Sequence, residues 1–594
     1  MNPYIASALL RAGDHEGRPY GMLRAGDHEG RPYAMVLGSL LVVLAMLLTA
    51  CGGSSTPTTT THTTALRVLS APGQPNPDLF NPYFNTNQGG DFGAQGLLYE
   101  PLYFTNLYNG QTTPWLASSY QYSTDLTQLT FHIRPGVKWN DGQTLTSADV
   151  KFTFDLMQAN PALDQSSVWA LLKSVAAPDS STVVFTLQHP DSTALFRIGD
   201  QIYIVPQHVW ANISGDPAKF SNDHNPVGTG PYKLTSFTPD LITYDANPTY
   251  WGTKPQVKKV LVPSIKDNTT AITDMIQGKL DWMGTGWNPD YDSLYTAKDP
   301  QHNHTWFAAS NTVMLYLNLQ KAPFNNLLVR KAINAAINRN QLPQGVAKYA
   351  AVAHPTGVII PTLNSWIASQ YQNLSFQYNI SQAQSYLQQA GFTKGSDGFY
   401  RDASGKEFTM TVDVVNGWSD WDQDVQFIVN DLNAAGIKAT VNSESGFTPY
   451  YTAITTGNYD AAISWTNSGP TPYYPYQALL SSANSAPAGK AVVGTNFERW
   501  DASTSNGYSA QTDKLITQYE ESSDVNAQKQ AIAGIEDIMV SQLPVIPLTV
   551  NVYWDEYTTR NWTGWPDASN PYDSGAPYNM PDAANVILHL TPAS

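Results

Sequence analysis

Cysteine is almost absent from this chain: Cys51 is the only one in 594 residues. An intramolecular disulfide is therefore excluded, and the folded chain must be stabilised by packing. Charge is also sparse, at 13 % of residues, and the 32 Lys and Arg are outnumbered by 48 Asp and Glu. Because a net charge of −16 repels polyanions and no basic cluster offsets it, we expect no nucleic-acid partner.

The usual catalytic and metal-binding signatures are missing as well. The sequence contains no G-x-S-x-G elbow, no H-E-x-x-H and no P-loop, and its 11 His lack the paired spacings of metal ligands. We therefore predict no enzymatic activity, no metal and no cofactor. The contrasting alternative is a glycoside hydrolase, whose two carboxyls would come from Asp420 or from Asp555 and Glu556.

One long apolar run is present, from Met35 to Thr49. It is shorter than the roughly 20 residues of a membrane-spanning helix and fits the core of a signal peptide. It leads into Leu48-Thr49-Ala50-Cys51, which resembles a bacterial lipobox. This resemblance implies that residues 1–50 are removed and that the Cys51 thiol is lipidated, which anchors the protein to a membrane. The alternative is a free buried cysteine in a cytosolic protein.

The segment that follows the lipobox is rich in Gly, Ser and Thr. Residues 51–64 read CGGSSTPTTTTHTT and cannot bury apolar surface. We predict a flexible tether that holds a folded body away from the membrane, in the periplasm or on the outer face of the cell membrane.

The remaining chain is too long for one hydrophobic core, so we expect two or more lobes. Short β-rich runs alternate with amphipathic stretches, which predicts a mixed α/β fold. Predicted strands are Ala65–Ser70, Leu129–Ile133 and Leu543–Val552. Predicted helices start after the N-cap Thr146 and cover Val329–Asn338, Ser381–Gly391 and Asp424–Gly436.

Several motifs in order carry a resemblance that extends over nearly the whole chain after Cys51. They are Tyr99-Glu100-Pro101-Leu102, FHIRPGVKWNDGQTLTSADVKFTF (131–154), Asn225-Pro226-Val227-Gly228-Thr229-Gly230-Pro231-Tyr232, Val329-Arg330-Lys331-Ala332-Ile333 and Ala390-Gly391-Phe392. Together they resemble the family 5 extracellular solute-binding proteins, the oligopeptide-binding class of ABC importers. Gly228 and Gly230 are interpreted as turn glycines rather than ligand contacts.

This resemblance implies a bilobal, periplasmic-binding-protein-like α/β fold of type II, with two crossovers between the lobes. We place the crossovers near 301–313 and 543–550. Lobe one would comprise 65–300 and 550–594, with an inserted subdomain at about 101–225, and lobe two would comprise 301–549. The implied partners are a small oligomeric solute and the permease and ATPase subunits of an importer, with the binding protein itself a monomer.

The expected ligand follows from a departure from the family pattern. In the peptide-binding members, an acidic side chain after a strand and Trp of lobe two pairs with the peptide ammonium. Here the segment from Tyr459 to Tyr476 has no carboxylate after Asp460. Aromatic residues replace it, as in the oligosaccharide-binding branch that these segments resemble. An unpaired buried ammonium is costly, so the departure weakens a peptide assignment.

We therefore predict a β-linked oligosaccharide as ligand, since Trp and Tyr rings stack on the apolar faces of sugars. The predicted ligand contacts are Trp418, Trp421, Trp465, Tyr473, Tyr474, Tyr476, Trp562 and Trp565. The alternative for each is a packing role in the core, where large aromatics are mostly found. An oligopeptide whose ammonium is held by another carboxylate is the second ligand hypothesis, and nickel is a more distant one.

Overall fold

Strands and helices alternate along the chain, as predicted for a mixed α/β protein. The structure, a computed structural model, describes residues 65–69, 76–83, 92–284, 291–345 and 348–594. The strands in these ranges are β1 (Ala65–Leu69), β2 (Tyr103–Thr105), β3 (Thr112–Pro114), β4 (Ala117–Tyr122), β5 (Gln128–Ile133), β6 (Leu172–Asp179), β7 (Thr182–Leu187), β8 (Tyr232–Thr238), β9 (Leu241–Ala246), β10 (Lys259–Pro263), β11 (Trp282–Met283), β12 (Asn303–Thr305), β13 (Ala309–Leu317), β14 (Ala351–Val352), β15 (Thr393–Lys394), β16 (Tyr400–Arg401), β17 (Thr409–Val415), β18 (Lys438–Glu444), β19 (Ala461–Trp465), β20 (Ile546–Val552), β21 (Glu556–Thr558), β22 (Trp562–Thr563) and β23 (Thr591–Pro592). The α-helices are α1 (Ser147–Ala159), α2 (Val168–Leu171), α3 (Gln207–Trp210), α4 (Asn268–Ile276), α5 (Tyr291–Leu294), α6 (Leu327–Ala336), α7 (Ile380–Gln389), α8 (Ser419–Ala435), α9 (Phe447–Thr456), α10 (Tyr473–Leu480), α11 (Tyr508–Glu520), α12 (Val525–Gln542) and α13 (Asp582–His589).

A first mixed sheet joins the beginning of the described chain to its end. Its strand order is β12-β21-β11-β1-β10-β9-β8. The central strand β1 is parallel to β10 and β11, and the other pairs are antiparallel. Leu66, Val260 and Trp282 of this sheet lie in one buried hydrophobic cluster with Val586 of α13. We call this half of the molecule lobe one.

A second sheet is built from the middle of the chain, in the order β14-β20-β13-β19-β17-β18. β17 is parallel to both β18 and β19, whereas the β13, β14 and β20 pairings are antiparallel. Leu315, Val412 and Ile463 of this sheet share a separate hydrophobic cluster with Ile333 of α6 and Ile428 of α8. We call this half lobe two, and the two separate cores confirm the bilobal α/β fold.

The chain passes between the sheets twice. It leaves lobe one after β12 and enters lobe two at β13, and it returns between β20 and β21. The two passages run side by side, because β13 and β20 are paired and the Tyr553 amide donates to the Ala308 carbonyl at 2.7 Å. The Trp306 amide donates to the Asp555 carbonyl at 2.9 Å. The lobe limits drawn from the sequence stay a prediction, and we propose residues 306–308 and 553–555 as the crossovers.

A smaller four-stranded sheet, β4-β5-β7-β6, lies in the region predicted as an inserted subdomain. Helix α1 beside it starts as predicted: Thr146 and Asp149 form a capping box, in which the Thr146 amide donates to Asp149 Oδ2 at 2.9 Å. The apolar stripe of α1 buries Val150, Phe154 and Met157. The outer limits of the subdomain stay a prediction.

The central motif requires glycine at positions 228 and 230 for a reason other than the predicted tight turn. A Cβ atom at Gly228 would lie 1.9 Å from the Leu98 carbonyl oxygen, and one at Gly230 would lie 2.2 Å from the Leu97 carbonyl oxygen. The Gly230 amide donates to the Leu98 carbonyl at 3.0 Å. Only glycine allows two backbone segments to approach so closely, so the motif is structural.

Helix α8 begins earlier than the sequence pattern predicts, at Ser419 rather than at Asp424. Asp420 and Asp422 lie in its first turn, where carboxylates interact favourably with the helix dipole. It ends as predicted at Gly436, which has a φ of 92° and caps the helix. The early start places Trp421 and Asp424 on one rigid element.

The predicted signal peptide, lipidation site and tether all lie outside the described residues. Within the described ranges, no helix is both long enough and apolar enough to cross a bilayer.

Candidate ligand-binding site

A cavity of about 360 Å³ lies where the two crossovers meet the lobes. Lobe two contributes the start of helix α8 and the end of β19. The crossover strands form the floor of the cavity, and lobe one adds residues from its loops. The lining residues are Gly284, Ser310, Asn311, Gly417, Trp418, Ser419, Asp420, Trp421, Trp465, Asn551, Val552, Tyr553, Trp554 and Tyr578. Clefts between lobes are common ligand sites, because groups from both sides can enclose a ligand.

Three tryptophans of lobe two form one side of this cavity, and we call Trp418, Trp421 and Trp465 the aromatic wall. The Trp418 and Trp465 rings are nearly parallel, at 28°, with centroids 5.7 Å apart. Phe447 extends this arrangement behind them, 5.8 Å from Trp418 and inclined by 17°. Trp421 is tilted against Trp465 at 5.5 Å. Half-buried, nearly parallel rings give the cavity a flat apolar face.

The strand order of lobe two explains why these tryptophans meet. Trp418 is the N-cap of α8, three residues after the end of β17, and Trp465 is the last residue of β19. Because β17 and β19 are parallel neighbours, their carboxyl ends lie at the same edge of the sheet. Ligands of open α/β sheets bind at this edge.

The crossover strands supply polar groups beside the aromatic wall, since β13 is paired with β19. Ser310 and Asn311 belong to β13, and Asn551 belongs to β20. The Ser310 Oγ and Asn311 Oδ1 atoms are buried and have no hydrogen-bond partner among the described residues. Buried polar atoms in native proteins are nearly always paired, so a ligand hydroxyl that reached these two oxygens would supply the partner that the described residues do not.

Trp554 and Tyr578 close the floor of the cavity from the return crossover and lobe one. The Trp554 amide donates to the Tyr578 hydroxyl at 2.9 Å, which fixes the two residues together. The Trp554 ring lies 5.1 Å from that of Phe307. These contacts hold a further aromatic surface beside the polar atoms.

The charge of the cavity lining is negative. Among the described lining residues, only Asp420 has a side chain that carries a formal charge at neutral pH. Burial raises the pKa of the Asp420 carboxyl, and the nearby Asp422 charge adds to the effect. The lining therefore favours a neutral or cationic ligand over an anionic one.

The predicted tyrosines of α10 lie elsewhere in the structure. The Tyr473 hydroxyl donates to Glu520, the Tyr476 hydroxyl donates to the Thr356 carbonyl at 2.8 Å, and the Tyr474 ring packs 4.8 Å from Phe196 of lobe one. None of these three side chains lines the cavity. Their contact with ligand stays a prediction.

Trp562 and Trp565 belong to the core of lobe one. Trp562 is 0 % exposed, and the Trp565 indole donates to the Trp562 carbonyl at 3.0 Å. The Trp565 ring lies 5.4 Å from Trp282 and 5.0 Å from Tyr557, so it packs behind the sheet of lobe one. The structure does not bring this pair to the cavity, and their ligand contact also stays a prediction.

Sequence reasoning missed the crossover contributors Asn311, Asn551 and Trp554. Asn311 and Asn551 are polar residues within largely apolar strands, which is unusual in a buried sheet, but this pattern alone does not assign a ligand contact. The periodicity of apolar residues in the sequence does not distinguish these residues from residues at the ends of strands.

Of the carboxylates considered for a hydrolase, Asp420 lines the cavity, whereas Asp555 and Glu556 do not. Asp555 and Glu556 are both 0 % exposed, and Asp555 Oδ1 accepts a hydrogen bond from the Trp282 indole at 2.8 Å. This pair therefore belongs to the packing of lobe one. Within the described ranges, no three His, Cys, Asp or Glu side chains gather as a potential metal site.

Two lobes joined by paired crossovers, with a lined cavity between them, define the class of bilobal binding proteins. The family model described as bacterial extracellular solute-binding proteins, family 5 (middle) matches residues 111–487. The chain belongs to this family, as its motifs predicted.

Curated relatives agree with this membership. The chain is 28 % identical over 343 residues to the dipeptide-binding protein of Escherichia coli K12, covering 54 % of this chain and 62 % of that protein. It is 27 % identical over 352 residues to the nickel-binding periplasmic protein of the same organism, covering 57 % and 63 %. These matches span less than two thirds of either relative. A match to the peptide transport periplasmic protein SapA of Salmonella typhimurium, at 23 % identity, covers 88 % of this chain and 94 % of that protein.

Solved structures share the fold over most of the chain. An oligopeptide-binding protein of Thermotoga maritima has a TM-score of 0.81 and 25 % identity, covering 89 % of this chain and 99 % of that one. A structure of an oligopeptide-binding protein from the same organism with bound mannohexaose has a TM-score of 0.75 and 24 % identity, covering 89 % and 98 %. These similar proteins are named as binding or transport proteins, and several of them as periplasmic.

Proposed function

We propose that this protein is the substrate-binding component of a family 5 ABC importer and that its ligand is a β-linked oligosaccharide. The observation that carries the ligand assignment is the aromatic wall, which lines the interlobe cavity together with Ser310 and Asn311, whose side-chain oxygens are unpaired. The fold itself does not select the ligand, because similar proteins are named for peptides, nickel and mannohexaose.

The chemistry of a sugar matches both sides of this cavity. A pyranose ring has an apolar C–H face that stacks on Trp418 or Trp465, while its hydroxyls donate to acceptors at its rim. Ser310 and Asn311 line the same cavity, and their Oγ and Oδ1 atoms are such acceptors. A neutral ligand also avoids repulsion by Asp420.

The two lobes then act as a clamp. A ligand that contacts lobe two and the crossovers, and also Tyr578 of lobe one, favours the closed arrangement over the open one. Only the closed form would dock productively on the permease, and partner subunits would consume ATP. The binding protein would remain a monomer held to the outside of the membrane through lipidated Cys51.

An oligopeptide is the second candidate, and one observation favours it. Asp420 lies in the cavity beside the aromatic wall, so a carboxylate is available for a peptide ammonium although none follows Trp465 in the sequence. The lining residues described here include no Lys or Arg for the peptide's carboxylate.

Calorimetric titration distinguishes the two candidates. We expect cello- or manno-oligosaccharides to bind with 1:1 stoichiometry and to be recovered uncleaved, and di- to pentapeptides to bind more weakly or not at all. Trp418→Ala should weaken sugar binding, whereas the control Trp366→Ala should not, because Trp366 is also half-buried but packs 6.2 Å from Tyr519, outside the cavity. Binding of peptides alone would reject the oligosaccharide, and cleavage of the sugar would reject a pure binding role.

A further inference from the structure

A small recess opens beside the aromatic wall. Its volume is about 20 Å³, enough for one small group such as a water molecule or an ammonium. Asp420, Asp424, Trp421, Tyr349 and Trp554 are among its lining residues. The recess shares Asp420, Trp421 and Trp554 with the main cavity, so the two spaces adjoin.

Two carboxylates meet in this recess with no cation to neutralise them. Asp420 and Asp424 are four residues apart on α8, which places them on one face of the helix. Neither forms an ion pair with any side chain in the described ranges. Asp424 is 2 % exposed, and its Oδ1 has no hydrogen-bond partner among these residues. Burying a carboxylate without a counter-ion or a hydrogen-bond partner costs free energy.

The pKa of the Asp424 carboxyl is changed by its burial and by the nearby Asp420. Burial, followed by the charge of Asp420, raises the pKa of the Asp424 carboxyl to about 8. A positive group in the recess would relieve both effects, because it would replace lost solvation and screen the two carboxylates from each other. Tyr349 does not supply that charge, and its hydroxyl donates to Asp292 at 3.2 Å.

The size and walls of the recess decide which cation fits. A hard divalent cation needs six or more oxygen ligands, and a space for one small group between two carboxylates and indole rings does not provide them. A protonated primary amine needs fewer acceptors, because it has three N–H donors and one charge. Trp421 and Trp554 also line the recess, and a cation over an indole face gains cation–π attraction.

We propose that the recess between Asp420 and Asp424 binds a protonated amine of the ligand, so that the preferred ligand is an amino-substituted oligosaccharide. This inference rests on the proposed function, because the aromatic wall next to the recess holds the sugar rings. The amine then enters the recess as a substituent of a ring stacked on the wall. A peptide amino terminus has the same chemistry, and the experiment must separate these two sources.

Two matched ligand pairs test the proposal by calorimetry at pH 6 to 7. The sugar pair is the β-1,4-linked glucosamine tetramer and cellotetraose, which differ only in an amine or hydroxyl at each ring. The peptide pair is tetra-alanine with a free or an acetylated amino terminus. We expect the glucosamine tetramer to bind at least tenfold more tightly than cellotetraose.

Variants assign that preference to the recess. In Asp420→Asn and Asp424→Asn, the ratio of the two sugar dissociation constants should fall to within about twofold of one. In the control Asp240→Asn, which removes a negative charge at an exposed position between β8 and β9, the ratio should remain unchanged. Asn preserves the side-chain shape, so a loss of preference reports the charge rather than a collapsed recess.

The outcomes separate this proposal from the proposed function. Equal binding of both sugars, with ratios that the Asp variants do not alter, would overturn the amine recess and leave the oligosaccharide function intact. Binding of free tetra-alanine alone, sensitive to Asp424→Asn, would support an amine recess but overturn the oligosaccharide ligand. Failure of all four ligands to bind would overturn both proposals.

Discussion

Two pairs of tryptophans in this protein have the same spacing and opposite environments. Trp418 and Trp421 are separated by three positions, as are Trp562 and Trp565. The first pair starts a helix at the carboxyl edge of a parallel strand pair and lines the interlobe cavity. The second pair begins at the short strand β22 and is buried in the core of lobe one.

The difference lies in what surrounds each pair rather than in the residues themselves. Trp418 is the N-cap of α8 and remains half-buried, although its ring packs against those of Trp421 and Trp465. Trp565 is covered by Trp282 and Tyr557, and its indole donor is satisfied by a backbone carbonyl. Aromatic spacing therefore marks two candidate sites, and the placement of each pair relative to the sheets determines which one is open to ligand.

The largest expected effect comes from the buried pair. Trp562→Ala should destabilise the protein by about 3–5 kcal/mol, the usual cost of removing a large aromatic from a core. Chemical denaturation followed by intrinsic fluorescence measures this change. Trp418→Ala is the matched variant and should cost less than half as much, since Trp418 is only half-buried. Equal costs for the two variants would contradict the different environments described above.

The second expected effect is a difference between the two tryptophan pairs in their contribution to ligand affinity. Trp418→Ala should weaken oligosaccharide binding by roughly 30-fold, or about 2 kcal/mol, as expected for a tryptophan at the centre of a site. Calorimetry measures the change. Trp565→Phe, which retains an aromatic ring in the core, serves as the comparison and should alter affinity by less than about threefold. A larger loss from Trp565→Phe than from Trp418→Ala would assign the ligand to lobe one instead.

Much of this fold follows from local patterns in the sequence. Helix α1 could be predicted because Thr146 and Asp149 form its capping box, and the end of α8 because Gly436 adopts a left-handed conformation. The start of α8 was missed, since the apolar stripe begins only after its acidic first turn. The family motifs supplied the two lobes, which periodicity alone does not define.

The candidate site was predictable only in part. Trp418, Trp421 and Trp465 were expected to contact the ligand because their segments resemble ligand-binding segments; the structure places all three at one cavity, and the contact itself stays a prediction. Asn311 and Asn551 could not be assigned, because their role depends on the pairing of β13 with β20, two strands more than two hundred residues apart in the chain. Long-range pairing of this kind is not visible in local residue patterns.

The third effect concerns pH and the acidic recess beside the first pair. The folded-state pKa of Asp424 is raised from 3.8 to about 8, so the folded protein binds this proton more tightly than the unfolded chain does. The associated stability is present below pH 4 and is lost as the pH rises through 8. Asp424→Asn cannot ionise, so its melting temperature relative to wild type should rise between pH 4 and pH 9.

We expect the variant to melt at least about 2 °C above wild type at pH 9, the shift that ~1 kcal/mol gives in a large domain. Thermal unfolding of both proteins without ligand, at matched ionic strength, provides the measurement. A difference in melting temperature that does not vary with pH would show that Asp424 ionises normally in the folded protein.

The smallest effect tests the tyrosines of α10. Tyr476→Phe removes only the hydroxyl that donates to the Thr356 carbonyl, and it should cost about 0.5–1.5 kcal/mol of stability with little change in sugar affinity. Tyr473→Phe should behave similarly, because its hydroxyl donates to Glu520. If either variant instead loses affinity while retaining its stability, the predicted ligand contact at that tyrosine is correct and the cavity extends further than described.

A crystal structure of the protein with a bound β-1,4-linked tetrasaccharide tests the central claim most directly. We expect the sugar rings to stack on Trp418 and Trp465, with sugar hydroxyls within hydrogen-bond distance of Ser310 Oγ and Asn311 Oδ1. Sugar density away from the aromatic wall, or a saturated crystal with an interlobe cavity that contains only water, would contradict it.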